Sequence, residues 1–127
     1  MKKFLCAVLF VLVLAGLSYA AEDAGTVSFR DFTAQVKNSV KLERLYVGKN
    51  VTVTGCEVYE IEAEGNEYVM QAAWSGRLNV DVYFIFTAAN AEQIVDLDNG
   101  DVVTIRGLVR GRDDYDRIEL YNCKIIK

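Results

Sequence analysis

The sequence predicts an all-β fold with helical additions: a five-stranded barrel with one helix before the strands and a short helix between the third and fourth. Two observations support this prediction. From residue 50 onward apolar residues recur with a period of two, which is the period of β-strands. Glycines also interrupt two of the longer strands, and such kinks let a strand turn the corner of a small barrel.

The first twenty residues have the pattern of a secretory signal peptide. Lys2-Lys3 precedes an apolar run over 4–17, and Ser18-Tyr19-Ala20 places small residues at the −3 and −1 positions. We therefore expect cleavage after Ala20 and export of a soluble protein to the periplasm or the medium. The alternative, an uncleaved anchor, needs a longer apolar run than this one. Cys6 lies too early for lipid attachment at the end of the signal.

The charge of the chain disfavours nucleic-acid binding. The net charge is −4, and loss of Lys2 and Lys3 with the signal would remove two positive charges and leave −6. An acidic domain repels a phosphate backbone unless its few cations are clustered.

The cysteines leave two interpretations open. Cys56 and Cys123 remain after signal cleavage. An oxidising compartment would permit a disulfide between them, whereas small buried thiols are the alternative. The chain has no histidine and no Cys-x-x-Cys, so a zinc site and a histidine-activated nucleophile are disfavoured. We expect no metal, no cofactor and no enzymatic activity.

The segment before the barrel predicts a flexible lead-in and then a helix. Residues 21–27 are small and polar. Ser28 is a suitable N-cap for a helix from 29 to about 43. Four apolar residues share one face of that helix at spacings of three and four and are expected to pack on the barrel: Phe29, Phe32, Val36 and Val40.

The strands follow in order. They are predicted at 50–62, 67–74, 78–86, 101–110 and 116–126, with glycine at Gly55 and Gly107 inside the first and fourth. The third strand alternates, with five apolar residues on one face: Leu78, Val80, Val82, Phe84 and Phe86. Thr87 is a suitable cap for a short helix over 88–96. This order is that of an OB-fold, so 28–127 is predicted to form one OB-fold domain including its N-terminal helix.

Three stretches of the chain resemble a known family. Leu45–Gly55 resembles the entry signature of the small exported OB-fold proteins called tRNA_anti-like, and Leu97–Gly107 and Ile118–Ile125 are similar to that family's fourth and last strands. The resemblance spans 29–127. It implies nucleic-acid binding by analogy with anticodon-binding OB domains. The bacterial OB-fold periplasmic stress proteins share the same architecture.

The OB-fold also predicts where a ligand would bind: across the second and third strands, beside the hairpin between the fourth and fifth. The aromatic and basic residues there are Tyr68, Trp74, Tyr83, Arg110, Arg112 and Tyr115. We expect a non-enzymatic binding module of the cell envelope that takes a protein or a small ligand. The alternative is a single-stranded nucleic-acid binder on the same surface, which would use the aromatic residues as stacking platforms.

Carboxylates in the hairpin bear on both alternatives. Asp113, Asp114 and Asp116 lie among the arginines and offset their charge. The same three carboxylates could coordinate a hard cation such as Ca²⁺. The spacing lacks the glycine and glutamate of an EF-hand loop, and we favour a solvated hairpin in which they pair with arginines.

Overall fold

The computed structural model describes residues 21–73 and 80–127. Its elements, in chain order, are β1 (Asp23–Ser28), α1 (Phe29–Val36), α2 (Ser39–Lys41) with a π-helical turn (Leu42–Tyr46), β2 (Asn50–Glu64), β3 (Glu67–Ala73), β4 (Val82–Thr87), a 3₁₀ helix (Ala88–Gln93), β5 (Val102–Arg112) and β6 (Ile118–Ile126). Within these ranges no helix is both long and apolar enough to cross a membrane.

Strands β2 to β6 form the predicted five-stranded OB-type barrel. They follow one another around it in the order β2-β3-β4-β6-β5, and β2 pairs with β5 to close the sheet. The 15-residue β2 makes this closure possible, because residues 50–57 pair with β5 and residues 57–64 pair with β3. Gly55 lies where the register of β2 against β5 shifts, at a φ of +68°. A glycine tolerates this backbone conformation, so the predicted bend in the first long strand is confirmed.

The glycine in β5 has a different role. Gly107 packs so closely on β6 that a Cβ atom there would lie 2.6 Å from Sγ of Cys123. The registers of β5 and β6 also shift between Arg106 and Leu108. Gly107 therefore allows close contact between two strands at a bulge, rather than supplying an unusual backbone angle.

The predicted lead-in contains a strand instead. β1 runs parallel to the first part of β2, with Thr26 opposite Thr52 and Ser28 opposite Thr54. Asp23 accepts a hydrogen bond from Arg106 in β5 at 3.2 Å, across the intervening β2. The small polar residues of 21–27 gave no strand signal. The backbone groups of β1 pair with the edge of β2 that β5 leaves unpaired. That edge is in place only once the barrel has formed.

The predicted single helix is divided in two. Ser28 caps α1 as expected, accepting a hydrogen bond from the backbone N–H of Asp31 at 3.1 Å. α1 then ends at Val36, and the side chain of Asn38 accepts from the N–H groups of Val40 and Lys41 to begin α2. The break separates Val40 from the apolar face of α1, and Val40 is 65% exposed, so it does not pack on the core as predicted.

The helical segment belongs to the core of the barrel. Phe32 and Val36 are fully buried in the same apolar cluster as Phe84 and Phe86 of β4. The ring of Phe32 also meets the ring of Tyr46 edge-on, at 5.0 Å between centroids. Residues 29–46 therefore cover an end of the barrel and share its interior.

The described part of β4 confirms the predicted alternation. Val82, Phe84 and Phe86 are buried in the core, and Val80 packs against it, while Leu78 lies outside the described residues. Tyr83 therefore projects from the outer face. The 3₁₀ helix that follows β4 is shorter than the predicted helix over 88–96, and Thr87 stands at its start without a side-chain capping hydrogen bond.

Candidate functional site

The hairpin between β5 and β6 holds an arginine between two aromatic rings. The guanidinium carbon of Arg117 lies 4.8 Å from the ring centroid of Tyr83 and 4.9 Å from that of Tyr115. Asp113 Oδ2 accepts a hydrogen bond from Arg117 Nε at 2.7 Å. We call Tyr83, Asp113, Tyr115 and Arg117 the hairpin cluster. It joins strand β4 to the hairpin and brings together two of the predicted site residues, Tyr83 and Tyr115. Arg117 was not among the predicted site residues.

The carboxylate of Asp113 organises this cluster. Its Oδ1 accepts from the backbone N–H groups of Tyr115 at 2.8 Å and Arg117 at 2.9 Å. Burial opposes ionisation, but these hydrogen bonds and the Arg117 guanidinium outweigh it and hold the pKa of Asp113 below its ordinary value. The hydrogen bond to Asp113 and the contact with Tyr83 together raise the pKa of Arg117. The cation of the cluster is therefore already neutralised.

Arg112 has partners both in the helical segment and in the hairpin. Its Nη2 donates to the backbone carbonyl of Val36 at 2.7 Å, and its Nη1 pairs with Asp116 at 3.0 Å. The first contact satisfies a carbonyl at the end of α1. Arg112 thus links the helical segment to the hairpin through Nη2, while its Nη1 forms an ion pair within the hairpin.

Tyr68, another of the predicted site residues, does not join the hairpin cluster. Tyr68 lies opposite Phe86 and packs against the core, whereas Gln71 lies opposite Tyr83. Since neighbouring residues of a strand face opposite sides, Tyr68 and Tyr83 are on different faces of the sheet. Trp74 lies outside the described residues.

Arg110 lies in a separate groove. Its guanidinium carbon is 4.6 Å from the ring centroid of Tyr121, on the neighbouring strand β6. The two side chains border a cavity of about 670 Å³ whose lining is Ala21, Val47, Gly48, Leu108, Val109, Arg110, Tyr121 and Asn122. We call this the β5–β6 groove. Sequence reasoning missed Tyr121, because its position opposite Leu108 depends on the bulge at Gly107.

Acidic side chains lie along the second half of β2, in its hairpin with β3. Glu57, Glu60 and the half-exposed Tyr59 line a second cavity with the turn at Gly100. A hydrogen bond with Glu60 and the repulsion between the two carboxylates raise the pKa of Glu62. Negative charge is thus concentrated where an OB-fold that binds strands would place cations.

Both cysteines of the barrel are buried free thiols. Burial raises the pKa values of Cys56 and Cys123 well above the ordinary value, and Cys56 contributes to the shift of Cys123. Small buried thiols are one of the two interpretations that the sequence left open. Among the described residues no group of acidic or sulfur ligands is arranged to hold a metal ion. Asp113 and Asp116 pair with arginines instead, in agreement with the favoured interpretation.

The comparison with protein families reaches every strand of the barrel. The model of the tRNA_anti-like family matches residues 17–125, nearly the whole chain. The chain belongs to the tRNA_anti-like family. The resemblance predicted from its strand motifs is therefore confirmed.

A solved structure shares the fold of this tRNA_anti-like chain. It is a lipoprotein from Klebsiella pneumoniae subsp. pneumoniae MGH 78578 that is proposed to bind nucleic acid. The sequences are 24% identical, the TM-score is 0.67, and the match covers 89% of this chain and 97% of the other. No curated protein matches the chain.

Proposed function

We propose that this tRNA_anti-like protein is an exported, non-enzymatic binding module of the bacterial cell envelope, and that it docks a protein partner through the hairpin cluster. The observation that carries the proposal is the stack of Arg117 between Tyr83 and Tyr115. Tyr115 is 77% exposed, the highest exposure among the large apolar side chains of the described residues. Tyrosine and arginine are the residue types that most often anchor protein interfaces.

The electrostatics of the cluster support a protein partner over nucleic acid. Arg117 and Arg112 each have a carboxylate partner within the hairpin, at 2.7 and 3.0 Å. A phosphate would have to compete with Asp113, a carboxylate whose lowered pKa keeps it ionised at neutral pH. The surface thus offers aromatic contact area around a neutralised cation. Such a surface suits a protein partner that buries the tyrosine rings better than it suits a phosphate backbone.

Site-specific photocrosslinking in cells that produce the protein tests this proposal. With p-benzoylphenylalanine in place of Tyr115, we expect one discrete adduct with a single protein, lost when Tyr83→Ala removes the other ring. The control carries the same probe at Tyr59, which is 43% exposed and lies beside Glu57 and Glu60. Absence of an adduct at 115, or equal adducts at 115 and 59, would refute the hairpin cluster as the docking site.

Export is a separate part of the proposal. It rests on the pattern of positions 2–20, which predicts cleavage after Ala20. Intact-mass measurement of the protein from fractionated cells tests it. We expect a chain that begins at Ala21 in the envelope fraction; a full-length chain in the cytoplasm would contradict the proposal.

Single-stranded nucleic-acid binding is the second candidate function. It is favoured by the solved relative, which is proposed to bind nucleic acid, and by the OB-type barrel itself. Fluorescence anisotropy of labelled single-stranded DNA and RNA, at low and physiological salt, separates the two functions. We expect no saturable binding. Saturable binding that weakens steeply with salt would establish phosphate contacts instead.

A further inference from the structure

The β5–β6 groove has the make-up of a small-ligand site. Its volume of about 670 Å³ falls within the range of roughly 300–1,000 Å³ that is typical of such sites. Val47 and Leu108 contribute apolar surface, while Arg110 and Asn122 contribute polar groups. None of these residues belongs to the hairpin cluster, so the two surfaces share no residue.

Arg110 is available to a ligand. It is exposed, and among the described residues it forms no ion pair with a carboxylate. Its guanidinium is held over the ring of Tyr121 at 4.6 Å, and an arginine on an aromatic face retains its hydrogen-bond donors for an anion. The hydroxyl of Tyr121 donates to Glu119 at 3.3 Å, which fixes the ring beneath the cation.

The wall of the groove is formed before any ligand arrives. The N–H of Gly48 donates to the carbonyl of Val109 at 2.9 Å, and the N–H of Val109 donates to the carbonyl of Lys49 at 2.9 Å. This pair of backbone hydrogen bonds fixes the 47–49 loop against β5. Gly48 has a φ of +83°, a conformation that other residues rarely adopt. A preformed site loses less conformational entropy on binding.

We propose that the β5–β6 groove binds a small amphipathic anion, a molecule with a flat apolar body and one carboxylate, sulfonate or phosphate group. The body lies on Val47 and Leu108 beside the Tyr121 ring, and the anionic group accepts hydrogen bonds from Arg110. Ala21 also lines the groove. A chain cleaved after Ala20 would present its new α-ammonium group at that edge, adding a second positive charge for the anion.

Two dyes of matched shape test the proposal. 8-Anilinonaphthalene-1-sulfonate carries a sulfonate, and N-phenyl-1-naphthylamine has the same rings without it. In fluorescence titrations of the protein as recovered from cells, with its N-terminus identified by mass, we expect saturable binding of the sulfonate dye at one site. Its affinity should exceed that of the neutral dye by about tenfold, the factor expected from one hydrogen bond to a charged group.

Variants then assign the site. Arg110→Gln should remove the preference for the sulfonate dye, and Leu108→Ala should weaken both dyes. The matched control Lys124→Gln removes an exposed cation on β6 and should leave both affinities unchanged. A urea midpoint equal to that of the parent protein shows that each variant is folded.

Three outcomes would overturn the proposal: no saturable binding, equal affinity for the two dyes, or a sulfonate preference that survives Arg110→Gln. Tyr83→Ala separates this site from the hairpin cluster. It should leave dye binding intact even where it abolishes the protein crosslink from position 115, so failure of either proposal can be recognised without the other.

Discussion

At the scale of single residues, Gly107 constrains the barrel most tightly. A Cβ atom there would lie 2.6 Å from Sγ of Cys123 and 3.2 Å from Cβ of Leu120. Real Cβ atoms do not tolerate the first distance, and both neighbours are fully buried. The position therefore requires glycine because of the space between β5 and β6.

We expect Gly107→Ala to lower the free energy of unfolding by about 1–3 kcal/mol, the usual cost of overpacking. Urea denaturation measures it. In a Cys123→Ala background the same substitution should cost less, because the closest clashing atom is gone. An equal cost in both backgrounds would mean that the strain arises elsewhere.

The two thiols give a second prediction at this scale. Cys56 and Cys123 are free and buried, and burial raises the pKa values of their thiols. We therefore expect neither to react with a thiol reagent in the native protein. Titration of the chain that begins at Ala21, in denaturant without reductant, should then find two thiols. Finding none would establish the disulfide that the sequence left open.

At the scale of elements, charge pairs hold the turn of the hairpin between β5 and β6. Asp113 links its own turn to Arg117, and Arg112 links the hairpin to the end of α1 at Val36. The charges that the sequence placed side by side therefore neutralise one another inside the element. This pairing explains why a basic sequence motif does not become a basic surface.

Asp113→Asn tests the pairing through its pH dependence. The pKa of Asp113 is lowered in the folded state, so its contribution to stability is present above the pKa of the unfolded chain and is lost as the pH falls through the folded value. At pH 7 we expect a loss of about 1 kcal/mol, as for ion pairs at a protein surface. The urea midpoints of the two proteins should approach each other as the pH falls below the ordinary pKa of aspartate; a constant difference would contradict the assignment.

At the scale of the whole molecule, the helical segment and the barrel share one core. Phe32 is fully buried between Tyr46 and the barrel interior. A segment that merely covered the barrel would unfold by itself, whereas a shared core couples both parts.

We therefore expect Phe32→Ala to destabilise the entire protein by about 3–5 kcal/mol, the usual cost of truncating a buried phenylalanine. Circular dichroism and tyrosine fluorescence should report the same urea transition. The control Val40→Ala, at a 65% exposed position, should change the midpoint little. Loss of helix at low urea, with the barrel transition unmoved, would show that the two parts are independent.

The sequence by itself determined the barrel strands, the cap at Ser28 and the bend at Gly55, because each depends on neighbours along the chain. Periodicity and backbone preference act over a few residues and can be read directly. The alternation of Val82, Phe84 and Phe86, all buried in the structure, is of this kind.

Only the tertiary structure decided where β1 pairs, that Tyr68 faces the core, and that Arg110 meets Tyr121 across a bulge. Each of these depends on partners distant in sequence. Strand register is the reason: a shift of one residue moves a side chain to the other face of the sheet. The register shift beside Gly107 is fixed only when β5 and β6 pair.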